Sequence, residues 1–370
     1  MKQIVSPLCI LAFAAATLLA AATAGDTMFA HPGARIAIGS GRLNLYCLGT
    51  GSPTVVFDAG WGDWSPAWAV VLPRVATWTR ACSFDRSGYG FSDAGPLPRT
   101  SVRTADELHT ALHDAGLSRP YVLVAHAFGS YNMRAFADRY MRDVGGIVLV
   151  DADDGDVEPA KWQTRDHRNF QKIVATMRIC RNAVVKGLPL PPLPSPTGRP
   201  PGRCPGLFFR GLPEASFSND LNAALLHQVQ THASLYDAAI SEMEEMPWDE
   251  SYLQHHVTSF GSRPIRVLTT WHFGRPPDTP ASVHRDRLAF EHDSALAQGS
   301  WLRLSTNSRQ VFDYDESRQY IQLDHPDIVV NAIREVIKVH FKVLAHGPFR
   351  SRRPRLCSKC PDAQRAAINT

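Results

Sequence analysis

Two histidines four residues apart, His109 and His113, fall in a helical stretch and therefore share one face, the spacing that zinc sites use. No acid stands between them at catalytic spacing, and a metal site needs further ligands. No metal site and no cofactor are expected. His255, His256 and His272 are read as loop histidines. Of seven cysteines, Cys9 sits in an N-terminal apolar leader, which leaves Cys47, Cys82, Cys180, Cys204, Cys357 and Cys360. An even count downstream of a leader favours disulfides over thiols. Nearest neighbours give Cys180–Cys204, across a proline-rich loop, and Cys357–Cys360 in the tail. Trp61, Trp64 and Trp68 cluster at helical spacing. They are either core packing or a pocket wall for an apolar ligand.

The elements that must hold such residues follow from hydrophobic periodicity. Apolar or alternating runs predict strands over Arg35–Ile38, Leu43–Leu48, Thr54–Asp58, Ala81–Asp85, Tyr121–Ala125, Gly146–Val150, Ile265–Thr270 and Arg309–Tyr314. Several are almost purely apolar, as parallel strands buried on both faces require. Helical spacing falls at Pro66–Thr77, Ser101–Ala115, Ser130–Tyr140 and Pro326–Leu344. The alternation predicts an α/β architecture, a mostly parallel eight-stranded sheet with helices on both faces. Residues 155–258 break the rhythm: a helical stretch near Ala160–Arg181, a proline-rich loop, then one long helix from an Asn219 cap to Met246, stopped by Pro247. This segment is expected as a helical lid inserted into a core made of residues 25–154 and 259–346.

The ends read differently. Residues 1–24 combine Lys2, an apolar run from Leu8 to Ala22 and a small-residue exit at Ala22-Thr23-Ala24, the pattern of a secretory signal peptide. The run falls short of the ~20 residues a membrane span needs. A secreted or periplasmic protein is expected. Residues 347–370 form a basic, cysteine-containing tail with six bases against one acid. It can contact anionic surfaces weakly and in a salt-sensitive way. Of the formal net charge of +4, removal of this tail and Lys2 leaves about −2, which excludes a nucleic-acid-binding body. The chain's 370 residues, 44% hydrophobic, suffice for a full core and exclude disorder as a description of the whole.

Three stretches in order resemble the α/β-hydrolase superfamily, in particular its lid-bearing esterases and prolyl aminopeptidases. They are Val55-Val56-Phe57-Asp58-Ala59-Gly60-Trp61-Gly62, Phe84-Asp85-Arg86-Ser87-Gly88-Tyr89-Gly90-Phe91-Ser92-Asp93, and Tyr121-Val122-Leu123-Val124-Ala125-His126-Ala127-Phe128-Gly129-Ser130. The resemblance covers residues ~35–150 and ~263–343 by strand–turn–helix context. It implies the α/β-hydrolase fold and a nucleophile elbow at the third stretch, where the family reads Gly-x-Ser-x-Gly. This chain has Ala127 at the nucleophile position, and a methyl cannot attack a carbonyl. The family's histidine aligns with Gln319, through Ile321, Leu323 and Pro326. A carboxamide cannot serve as general base near neutral pH. Asp278 is the leading candidate for the acid and Asp151 the alternative. The oxyanion hole uses the backbone N–H groups of Trp61 and Phe128, which need no particular side chain.

Loss of nucleophile or base costs on the order of 10⁶ in turnover. The expected protein is therefore an exported α/β-hydrolase-fold protein without serine-hydrolase catalysis, binding a small apolar or carbonyl ligand. The alternative is an active ester or amide hydrolase with relocated groups, such as Ser130 with His325 or His272.

Overall fold

Five strands bury every one of their residues: β3 (Thr54–Asp58), β4 (Ala81–Asp85), β5 (Tyr121–His126), β6 (Val144–Val150) and β9 (Ile265–Thr270). A strand with no wet face must lie inside a sheet covered on both sides. That is how the chain is built in the computed structural model, which describes residues 25–152, 160–193, 202–256, 259–271, 281–314 and 319–346. With β1 (Ala34–Ala37), β2 (Arg42–Leu48) and β10 (Ser308–Asp313), these strands form an eight-stranded sheet in the order β1-β2-β4-β3-β5-β6-β9-β10. Only β1 and β2 run antiparallel to their neighbours. The pairs from β4 through to β10 are parallel.

Helices cover both faces. On one, α1 (Leu72–Ala76) is tied to the C-terminal helix by the Arg74–Asp327 ion pair. On the other, α2 (Ser101–Asp114) packs against α3 (Gly129–Tyr140). The predicted helix over Pro66–Thr77 is instead a short 3₁₀ turn at Ser65–Trp68 followed by α1. Trp64 and Trp68 are buried here; Trp68 packs on Phe57 and Trp64 on Phe209.

The excursion between β6 and β9 holds α4 (Ala160–Val185), α5 (Asn219–Thr231) and α6 (Ala233–His256), with a two-residue ribbon of β7 (Pro192–Leu193) on β8 (Gly202–Arg203). The single helix expected from Asn219 to Met246 is two. Ser218, not Asn219, caps α5, its hydroxyl accepting from the Leu221 N–H. The helix breaks at His232, which leaves the helical region at φ −103° and ψ 97°. Pro247 does not stop α6 but lies inside it. A proline there removes a helical hydrogen bond. The helix continues because its flanks are fastened to the core. Glu242 bonds Arg86 and Tyr89, Ser241 accepts from the Arg99 N–H, and Asp249 accepts from both the N–H and hydroxyl of Ser101. Beyond β9 come α7 (Ala281–Gln298), which the sequence reading did not place, then α8 (Ile321–Asp324) and α9 (Pro326–His346), which packs on β6 and β9.

Cys180 is bridged to Cys204, as expected, closing the proline-rich loop onto α4. A second bridge joins Cys47 to Cys82. Thirty-five residues separate that pair in sequence, but antiparallel pairing of β2 on β4 sets the two directly opposite. The leader, His272, Asp278, Cys357, Cys360 and the basic tail lie outside the described residues.

The fastening point of the whole arrangement is Arg86, just after β4. Its guanidinium is 1% exposed and bonds Asp58 (2.9 Å), Glu242 (2.7 Å) and the carbonyls of Ala59 (2.8 Å) and Gly60 (2.9 Å). Burial alone would lower its pKa, but Glu242 and Asp58 raise it well above the usual arginine range. Burial also pushes Asp58 up to about 6, against the pull of Arg86 and the Asn132 amide. Removing one partner of such a cluster strands the others. Arg86→Met is therefore expected to lower unfolding free energy by about 3–5 kcal/mol, read in urea melts of the purified protein; a loss under about 1 kcal/mol would contradict this role.

Candidate functional site

Between β5 and α3 the chain turns sharply, and Ala127 sits at the turn with φ +44°, in the left-handed region. A residue with a Cβ is strained there by about 1–2 kcal/mol. The turn is held by the Ala127 N–H on the Val150 carbonyl (3.1 Å) and the Ser130 N–H on the Ala127 carbonyl (2.9 Å). Gly129 opens the helix because nothing larger fits: a Cβ there would stand 2.7 Å from the Ala59 carbonyl oxygen. The helix start is thus pressed against the loop that follows β3.

A cavity of about 190 Å³ opens over this turn. Ala127, Phe128 and Trp61 border it on the strand–helix side, Gln319 and Tyr320 on the opposite loop, and Asp151 at the end of β6. The tertiary structure therefore gathers residues 61, 127, 128, 151 and 319 around one space. Gln319 and Asp151 share Ala127's backbone habit, with φ +71° and +43°. Asp151 Oδ1 accepts from the Thr270 hydroxyl (2.7 Å) and the Gln298 amide (3.1 Å). The Trp61 indole N–H donates to the Ala239 carbonyl of α6 (2.8 Å), joining the excursion to the cavity wall. Trp64 and Trp68, offered as pocket residues, do not border the cavity; they are core, and only Trp61 of the three reaches it.

Three bordering residues were not singled out from sequence: His126, Asp63 and Tyr320. Asp63 Oδ1 accepts from the Phe209 N–H (2.7 Å) and Oδ2 from the Tyr320 hydroxyl (2.9 Å). The Tyr320 ring lies 4.8 Å from that of His126, whose Nε2 is 2.9 Å from the Gln319 carbonyl oxygen. Burial pushes Asp63 up to about 7, opposed by its bonds to Tyr320 and Phe209. Burial takes His126 down to about 4, opposed by the Gln319 carbonyl. Both groups are driven toward their uncharged forms. The only sequence signs of them were an ionisable residue inside an apolar strand end and another between buried tryptophans.

The other singled-out residues lie elsewhere. His325 Nδ1 bonds Asp313 (2.6 Å), and Ser130 is buried within α3; neither borders the cavity. His109 bonds Asp143 and stacks on Tyr140, and His113 bonds Asp114. His255 and His256 lie within α6 rather than in a loop, bonded to the Ser251 and Tyr252 carbonyls. Among the described residues, no group of three or more His, Cys, Asp or Glu is placed to hold a metal ion, and no helix is long and apolar enough to cross a membrane.

Residues 53–180 match the family model described as the alpha/beta hydrolase fold. The chain is 24% identical over 312 residues to an AB hydrolase superfamily protein of Gibberella zeae, covering 78% of this chain and 87% of that protein. It is 43% identical over 91 residues to an uncharacterized protein of Schizosaccharomyces pombe, 25% of this chain and 17% of that one. In the first three curated relatives the match spans 17%, 18% and 43% of their lengths. Among solved structures, an esterase from Thermogutta terrifontis superposes with a TM-score of 0.55 at 20% identity, covering 84% of this chain and 98% of that one. With its strand order and its bend after β5, this chain has the α/β-hydrolase fold, and its residues 53–180 are similar to that family.

The Asp63 environment has a pH consequence. Its folded pKa lies above the ordinary aspartate value, so its favourable contribution is complete below about pH 4 and is lost as pH rises through about 7. In Asp63→Asn, which keeps an acceptor for Phe209 and a partner for Tyr320, that loss is absent. The variant's Tm is expected to gain on the wild type between pH 5 and pH 8; a constant difference across that range would contradict it.

Proposed function

We propose that this protein binds a small carbonyl-bearing or apolar ligand in the cavity over the bend and does not carry out the serine-hydrolase reaction. One observation carries the reading: the turn that presents a nucleophile in this superfamily presents the Ala127 methyl, and the loop opposite presents Gln319. Neither side chain can attack a carbonyl or take up a proton. Phe128 and Trp61 border the cavity, where their backbone N–H groups would receive a carbonyl oxygen, and Asp151, which also borders it, would be the acid. The excursion of α4 to α6 serves as the lid, fixed by Arg86–Glu242 and by Trp61 on Ala239. Export through residues 1–24 belongs to the same proposal, and bridges Cys47–Cys82 and Cys180–Cys204 suit an oxidising compartment.

The test is to rebuild the missing chemistry. Ala127→Ser combined with Gln319→His is expected to raise p-nitrophenyl acetate hydrolysis at least about tenfold over the wild type, because oxyanion and binding terms alone supply only ~10³–10⁴ over water. The wild type should stay unlabelled by a fluorophosphonate probe. Stoichiometric labelling of a wild-type serine would overturn the proposal.

A further inference from the structure

We infer that two copies of this chain form a two-fold dimer through β10, whose open edge pairs antiparallel with β10 of the other copy and joins the two sheets into one. This association does not depend on what the cavity binds.

The eight-stranded sheet ends at β1 on one side and at β10 on the other. An edge strand offers unpaired N–H and C=O groups to any chain that reaches them. The edge at β1 is blunted: the strand has four residues, follows Pro32 closely and carries the exposed Arg35. β10 has six residues, no proline, and Val311 beside Phe312. Its cation, Arg309, is turned to Glu335 of α9 (2.8 Å).

The ladder fixes which groups stay open. The Asp313 carbonyl accepts from the Trp271 N–H (2.8 Å), and the Asn307 carbonyl from the Ile265 N–H (3.0 Å). Backbone groups alternate from side to side along a strand, so Arg309, Val311 and Asp313 serve β9 while Gln310 and Phe312 point outward. Among the described residues, nothing bonds the backbone N–H or C=O of Gln310 or Phe312. Their side chains are settled on the α7 face of the sheet: the Gln310 amide donates to the Thr269 hydroxyl and the Ala295 carbonyl, and the Phe312 ring packs on Trp271. Next to Ala295, Leu296 is 65% exposed, and Tyr314 at the end of the strand is 69% exposed.

A second copy suits this edge because the strand is complementary to itself. With Val311 on the two-fold axis, Gln310 meets Phe312 of the other copy, and their outward groups exchange hydrogen bonds. Val311 faces its own counterpart in the close, non-hydrogen-bonded position. One step further out, Arg309 stands opposite Asp313, a base against an acid at both ends. Beyond them Ser308 stands opposite Tyr314, a small residue against a large exposed ring. Moving the axis to Gln310 sets Arg309 opposite Val311, and moving it to Phe312 sets Asp313 there. Only the register centred on Val311 matches both charges.

The experiment is sedimentation velocity of the purified full chain from about 1 to about 100 µM, with hydrogen exchange followed at single amides. A monomer–dimer equilibrium is expected, and exchange at Gln310 and Phe312 should slow as the dimer fills. Val311→Lys sets two ammonium groups face to face on the axis and is expected to weaken the dimer at least about a hundredfold. Arg309→Asp sets acid against acid at both ends and should weaken it about tenfold. If Val311→Lys does not fold, the wild-type exchange and Arg309→Asp decide alone. A monomer throughout that range would overturn the proposal. So would a dimer in which Gln310 and Phe312 exchange as fast as in dilute protein, because its contact lies on another face. Undiminished dimerisation of a folded Val311→Lys would overturn it equally.

Discussion

Everything near the cavity depends on how one buried cation is satisfied. Arg86 uses its guanidinium to hold four acceptors from three parts of the chain: Asp58 at the end of β3, the carbonyls of Ala59 and Gly60 in the next loop, and Glu242 on α6. Its charge sits 4.7 Å over the Tyr89 ring and 5.8 Å over that of Phe128. A guanidinium out of water is tolerable only when its donors are matched. The loop after β3 must therefore curl so that its carbonyls point inward, which leaves Gly60 and Trp61 facing the bend. The same demand brings α6 down onto the core. The cavity is where this loop, the bend and the Gln319 loop fail to close on one another.

The bend itself keeps a strained conformation around a methyl side chain. Ala127 holds φ +44° because Gly129 lets the helix start approach the Ala59 carbonyl and because β5 is locked between β3 and β6. Strain of this kind persists when the surroundings over-determine it. Replacing the side chain at such a position removes chemistry but not architecture. The junction is held by backbone hydrogen bonds of Ala127 and Ser130 that do not involve the Ala127 side chain.

Beside the bend stands a set of groups held close to neutrality. Asp63 is drawn up and His126 drawn down by the same burial, which outweighs the opposing pull of their hydrogen bonds. Tyr320 joins them, its hydroxyl on Asp63 and its ring beside His126, with burial and the neighbouring carboxylate raising its pKa well above the ordinary value. A pocket of this character suits neutral polar ligands better than ions.

The sequence by itself determined the sheet, because runs such as Val122-Leu123-Val124 and Ile147-Val148-Leu149-Val150 can be satisfied only by strands covered on both faces. It also determined which side chains stand at positions 127 and 319, and the Cys180–Cys204 closure, since these need only spacing and residue type. It misread the excursion, because the break at His232 and the survival of α6 through Pro247 depend on the partners of Glu242 and Asp249 across the core. It left Cys47 and Cys82 apart, because strand register alone makes them neighbours. It left Trp64 and Trp68 between core and pocket wall, because helical spacing cannot tell an inward face from a cavity wall. The buried Nδ1 of His126, unpartnered among the described residues, the nearly neutral Asp63 and the ring of acceptors around Arg86 were decided only in three dimensions. A residue's hydrogen-bond partners and its distance from water are properties of the assembled chain, not of its order.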